Sequence, residues 1–191
     1  LMRGLRERVQ QYARHDGSVL ISGEPGTGRS AFARYMHALS HRADGPLTRL
    51  TAASVTNADV EEQLLGKENN GEAVVGIFER ASGGTLLIDD VGDLNDAAQK
   101  LLVGVLDDGR FTRVGGTTPI KLDARVVATI DVEHQTSAEE QRLRRDLIAH
   151  LSELTLRVPP LREYAEDIPD LLAYYVDKLV DAEGLTFRRF S

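Results

Sequence analysis

The 191-residue chain contains no cysteine, which removes disulfides, thiolate metal sites and cysteine nucleophiles together. That absence fits a reducing compartment, and a cytoplasmic location is expected. No apolar run approaches the roughly 18 residues that a membrane helix needs, and Leu1-Met2-Arg3 does not read as the start of a signal peptide, so no membrane partner is expected. Positive charge is also scarce. Lys and Arg total 23 against 30 Asp and Glu, for a net charge of −7, and gripping a nucleic-acid backbone takes a clustered cationic surface. Any contact with DNA is therefore expected from a separate domain. Internal repeats and low-complexity tracts are absent as well. The chain reads as an excised segment that starts without an initiator Met and stops at "GLTFRRFS".

What is present is ordinary for a globular domain: 41% hydrophobic and 28% charged residues, enough for one sizeable core. Leu5, Val9 and Tyr12 recur at helical spacing until Asp16-Gly17 ends the helix. A buried strand follows at 18–22, and a second helix is expected to bury Phe32, Tyr35, Met36 and Leu39 on one face. Further strands are predicted at 46–52, 84–90, 124–130 and 154–158, with a helix over 95–109 capped by Asn95 and a hairpin around Gly115-Gly116. Strands alternating with helices imply an α/β fold with a parallel sheet covered on both faces. Pro159-Pro160 closes the sheet domain, taken as 1–165, and an amphipathic helix over 166–184 opens a second unit, 166–191.

The chemistry concentrates in "GEPGTGRS", residues 23–30, between the first strand and the second helix. Such a loop aims backbone N–H groups at a phosphate and sets it on a helix N-terminus. Gly23, Glu24, Pro25, Gly26, Thr27, Gly28, Arg29 and Ser30 are the expected nucleotide-binding residues, with Arg29 where the motif has lysine. The other half of a P-loop site is an apolar strand ending in a carboxylate, supplied by Leu86-Leu87-Ile88-Asp89. Ser30 and Asp89 are the candidate Mg²⁺ ligands, and ATP or ADP the candidate nucleotide. Asp90 stands where a group orienting the attacking water belongs; the bland alternative is a helix-capping acid. His37 and His41 have the i, i+4 spacing of a metal pair but no acidic third ligand nearby, which favours a surface role.

The segments "VLISGEPGTGRS", "GIFERASGGTLLIDDVGDL", "AQKLLVGVLDDGRFTRVGG", "IKLDARVVATID" and "LRRDL…LTLRVPPLRE…EDIP" together resemble the central AAA+ domain of bacterial enhancer-binding proteins, the sigma-54-dependent activators, many of them two-component response regulators. The resemblance implies an AAA+ P-loop NTPase with a five-stranded parallel sheet, flanking helices and the start of a truncated helical lid. It also implies self-association, as a dimer or hexameric ring, and action on RNA polymerase. On this resemblance Asp90 replaces the catalytic Glu. Asp131 replaces an asparagine that senses the γ-phosphate, and Thr51 replaces one that restrains the Glu. Arg144 matches the first of two trans-acting arginines, and His150 takes the place of the second. A carboxylate about 5 Å from a γ-phosphate would repel it by about 3 kcal/mol at an effective dielectric near 20, and an arginine finger is worth about 10³–10⁵ in turnover. Between "LLGKE" and "GIFERA" the family's polymerase-contact loop is replaced by the shorter "NNGEAVV", a feature shared with an NtrX-like subgroup of nitrogen-regulation response regulators.

Three readings follow. One is a regulatory module of a DNA-binding transcription factor that binds ATP or ADP, self-associates, and hydrolyses weakly or not at all. The second is a competent ATPase that remodels sigma-54 polymerase, and the third an oligomerisation scaffold that has abandoned nucleotide.

Overall fold

The computed structural model describes residues 2–69, 71–131 and 143–174. At its centre is a five-stranded, all-parallel sheet of β1 (Val19–Gly23), β2 (Leu47–Thr51), β5 (Thr85–Asp89), β8 (Arg125–Asp131) and β9 (Leu154–Arg157), in the order β2-β5-β8-β1-β9. Every strand anticipated from the sequence forms, within a residue or two of its expected bounds. Because alternate strand residues point to opposite faces, the sheet divides its apolar side chains between two cores. Leu20, Leu50, Leu86, Ile88, Val126 and Ala128 face α3 (Val60–Leu65), α4 (Ile77–Arg80), α5 (Asp96–Asp108) and α6 (Arg145–Leu151). Val19, Ile21, Leu87, Val127 and Leu156 face α1 (Met2–Ala13) and α2 (Arg29–Ala38). A sheet buried on both faces explains why "LLI" and "VVATI" read as continuous apolar runs.

Local signals set the helix ends. Asn95 caps α5 by accepting the Ala98 N–H at 2.8 Å, and Gly109 closes it in the left-handed conformation, φ 62°. The chain then makes the expected antiparallel hairpin, β6 (Arg110–Phe111) with β7 (Ile120–Lys121). A second hairpin, β3 (Gly66–Asn69) with β4 (Glu72–Val75), occupies the "NNGEAVV" stretch. Arg113 ties the two together, donating to Glu68 on β3 at 3.1 Å and to Glu79 on α4 at 2.6 Å.

Two expectations need correction. The face that α2 buries is Ala33, Met36 and His37, with Phe32 only partly covered, whereas Tyr35 and Leu39 are exposed. Packing against β1 and β5 rotates the helix about one residue from the stripe that apolarity alone picks out. His37 is accordingly not a surface residue: its Nδ1 lies 2.9 Å from the Thr85 hydroxyl in the core, while His41 sits outside and pairs with Asp16 at 3.0 Å. No metal-holding group of three His, Cys, Asp or Glu occurs among the described residues. The segment after β9 begins as a 3₁₀ helix, Leu161–Asp167, and becomes α-helical over 168–174. The rest of the helix expected to 184 lies outside the described residues.

Burial pushes the His37 pKa below its ordinary 6.5, against a hydrogen bond with the Gly45 backbone that raises it. A depressed folded-state pKa means that the contribution to stability is present above pH 6.5 and is lost as pH falls through the folded value. His37→Gln is therefore expected to flatten the fall in urea midpoint between about pH 7 and pH 5, and an unchanged pH slope would refute this assignment.

Candidate nucleotide site

The site lies at the carboxyl ends of β1, β5 and β8, next to the point where the strand order turns from β8 through β1 to β9, the position at which open α/β sheets bind ligands. The loop leaves β1 at Gly23, whose Cα faces Asp131 across the ladder. A Cβ on Gly23 would meet Thr27 Oγ1 and the Val158 carbonyl at 2.8 Å, so glycine is required there by close approach. Gly28, with φ 89°, is the cap of α2 and offers no side-chain hydrogen bond to the helix start. Its left-handed backbone favours glycine, and the uncapped first turn leaves the positive end of the helix dipole for an anion. The space beside Gly26 is open, with nothing within 4 Å of a built Cβ.

Asp89 is the best-held carboxylate in the site. Its Oδ1 accepts from the Ser30 hydroxyl at 2.8 Å and from the Thr129 hydroxyl at 2.9 Å. Its Oδ2 accepts from Arg49 Nε at 2.6 Å and Nη2 at 2.5 Å. Burial by itself would push the Asp89 carboxyl up, but the hydrogen bonds from Ser30, Thr129 and Arg49 together outweigh it and hold the group below the usual carboxylate range. Ser30 and Asp89, from opposite sides of the site, thus present a hydroxyl and a carboxylate oxygen side by side, a hard-oxygen set of the kind Mg²⁺ takes.

Asp90 departs from expectation. It precedes a short 3₁₀ turn, Val91–Asp93, but its side chain caps nothing, so the capping alternative fails. It is also the one non-glycine residue with positive φ, 54°, among the described residues, a conformation in which Asp is enriched. Its backbone N–H donates to Thr129 Oγ1 at 2.9 Å, and its Oδ1 pairs with Arg29 Nη2 at 2.8 Å. That contact has the closeness of an ion pair without the alignment of a hydrogen bond, since Asp90 Oδ1 makes none in the structure. Arg29 therefore leans onto Asp90 with its side chain only 10% exposed, and its Nη1 is buried with no hydrogen-bond partner. An unsatisfied buried guanidinium donor at a phosphate loop is a group that an anion would complete.

The remaining predicted residues divide into near and far. Glu24 is held by Arg162, whose Nη1 and Nη2 reach its two oxygens at 2.7 and 2.5 Å, and this pair keeps its carboxyl below the ordinary range. Thr27 Oγ1 donates to the Glu24 carbonyl at 2.8 Å, closing the loop on itself. Pro25 lies on the exposed side of the loop. Arg144, the cap residue before α6, and His150 within it do not join this cluster. Arg144 Nη2 pairs with Asp146 at 2.6 Å, and His150 Nε2 with Asp107 of α5 at 2.8 Å.

Sequence reasoning missed Arg49, Thr129 and Arg162. Thr129 and Arg49 could have been suspected as polar residues inside otherwise apolar strands, but what they touch depends on strand order. A cavity of about 350 Å³ opens between α1 and the end of β9, lined by Gly4, Leu5, Arg8, Arg157, Pro159 and Glu163.

Residues 1–157 match the family model described as the Sigma-54 interaction domain. The chain belongs to this family. It is 39% identical over 181 residues to the DNA-binding transcriptional regulator NtrC of Rhizobium meliloti (strain 1021), covering 92% of this chain and 37% of NtrC. Crystal structures of NtrX from Brucella abortus in complex with ADP and with ATP match with TM-scores of 0.89 and 0.90, both at 33% identity. They cover 100% of this chain, which spans 43% and 44% of theirs. The fold is that of an AAA+ P-loop NTPase domain, as the resemblance implies. No helix among the described residues is long and apolar enough to cross a membrane.

Proposed function

We propose that this chain is the central nucleotide-binding module of a bacterial DNA-binding transcriptional regulator, taking ATP or ADP with Mg²⁺ and hydrolysing weakly or not at all. The observation that carries the reading is a buried, partnerless Arg29 Nη1 at the start of a helix without a side-chain cap, whose second residue, Ser30, donates to Asp89. Two of the NtrX structures that match over the whole chain are complexes with ADP and with ATP, which supports the same ligands here. Gly23 through Ser30 would hold the phosphates. Ser30 and Asp89 would hold the metal, which supplies charge neutralisation on the phosphates when bound.

Hydrolysis is the weak link in this reading. Asp90 is the group that would orient water, yet it is short and already occupied by Arg29. Asp131 adds negative charge at the end of β8, beside the loop. The arginine that would reach a neighbour's nucleotide is held by Asp146, and His150 stands in for the second. On the reading that the shorter "NNGEAVV" stretch replaces the polymerase-contact loop, this module would act in a dimer or ring without remodelling sigma-54 polymerase. DNA would be bound through a separate domain, and the residues from 166 onward would begin the helical lid.

The test is fluorescent-nucleotide titration together with phosphate release on the whole protein. Saturable ADP and ATP binding with negligible turnover is expected. Turnover that climbs with protein concentration would instead favour an active ATPase whose neighbours complete each site. No binding at millimolar nucleotide, with assembly state indifferent to it, would leave a scaffold.

A further inference from the structure

Asp89 has no idle oxygen. Ser30 and Thr129 share Oδ1, while Arg49, reaching across from β2, places Nε and Nη2 on Oδ2. Register explains the reach. Thr51 lies opposite Asp89 in the β2–β5 ladder, so Arg49, opposite Leu87, approaches the carboxylate on the diagonal, within range of a long side chain. The two ends of this contact differ in exposure: the Asp89 side chain is 3% exposed and that of Arg49 56%. A buried anion is thus neutralised by a cation that stands largely in water and can leave at small cost.

We propose that Arg49 is a resident cation on the metal carboxylate, and that Mg²⁺ entering with nucleotide must compete with it for the charge of Asp89. The inference rests on the nucleotide and Mg²⁺ reading above and adds a competitor built into the chain. A guanidinium forked onto Oδ2 and a divalent ion beside Ser30 at Oδ1 draw on one negative charge, so each weakens the other's hold. The domain is therefore stable without metal, since the buried carboxylate is never left unpaired. Its nucleotide affinity responds to Mg²⁺ only at concentrations that overcome the arginine. Arg49 is here a tuning residue acting through Asp89, and it need not touch the ligand.

The experiment is titration of a fluorescent ADP analogue into the whole protein, from EDTA through millimolar Mg²⁺, for the wild type, Arg49→Met and Arg49→Lys. The Mg²⁺ concentration giving half of the affinity gain should fall about fivefold in Arg49→Met, the upper range for a partly exposed ion pair. Affinity in EDTA should stay within about twofold, because in this scheme the arginine competes with metal and does not bind nucleotide. Arg49→Lys, which keeps the charge but loses the fork, should fall between. An unchanged Mg²⁺ midpoint in both variants would overturn the inference, and so would an equal loss of affinity at every Mg²⁺ concentration, which would make Arg49 a nucleotide ligand. Thermal melts establish that each variant folds; if Arg49→Met does not, the midpoint of Arg49→Lys decides alone. A wild type that binds no nucleotide under any condition removes the underlying reading as well, whereas binding with an Arg49-indifferent midpoint removes only this one.

Discussion

The Arg29→Lys, Asp90→Glu double variant is expected to raise ATP turnover about a hundredfold, the scale on which a displacement of about 1 Å costs rate, with phosphate release as the measurement. In the present chain the two residues neutralise each other: Arg29 Nη2 rests 2.8 Å from Asp90 Oδ1, which occupies Asp90 and leaves only Nη1 of Arg29 without a partner. A lysine ammonium is a compact point charge that does not fork, and a glutamate reaches one methylene further toward the loop. The gain should carry a small stability loss. Asp90 sits at φ 54°, where the short Asp side chain is tolerated better than a longer one, so the double variant should melt slightly lower while turning over faster. No increase in phosphate release would shift the limit to Asp131 beside Gly23 or to His150, bound to Asp107.

Phe78→Ala should cost about 3–5 kcal/mol of unfolding free energy, read from denaturant melts, because the cavity left by a buried ring closes only in part. Phe78 is 1% exposed and tilts at 57° against Phe111, with ring centroids 5.6 Å apart. It is the main anchor of α4, a helix of four residues that cannot persist without tertiary packing. Glu79 beside it receives Arg113, so loss of the ring should also loosen the link between the two hairpins. Phe78→Leu, which fills much of the same space, should lose clearly less. Equal losses for Leu and Ala would mean that packing volume is not what Phe78 contributes.

The elements that could be read directly share one property: their signals are local. The phosphate loop, the Asn95 cap and the Asp89 strand end each occupy a contiguous stretch whose residues meet in the same short element. Arg49, Thr129 and Arg162 escaped notice because they act across 40, 40 and 138 positions of sequence, and only the strand order brings them to the loop. The buried face of α2 was misjudged for a related reason. Apolarity marked Tyr35 and Leu39, but the neighbouring strands accepted His37 through a hydrogen bond to Thr85, a polar pairing that no periodicity records. The left-handed backbone of Asp90 and its engagement by Arg29 follow from how β5 ends, which the residue string does not spell out.

The Glu24–Arg162 clasp has a mechanical corollary. It joins the second residue of the glycine-rich loop to the segment that leads out of the sheet toward the C-terminus, so a swing of that segment would pull on the loop through a single pair of side chains, and a ligand that stiffened the loop would steady the segment in turn.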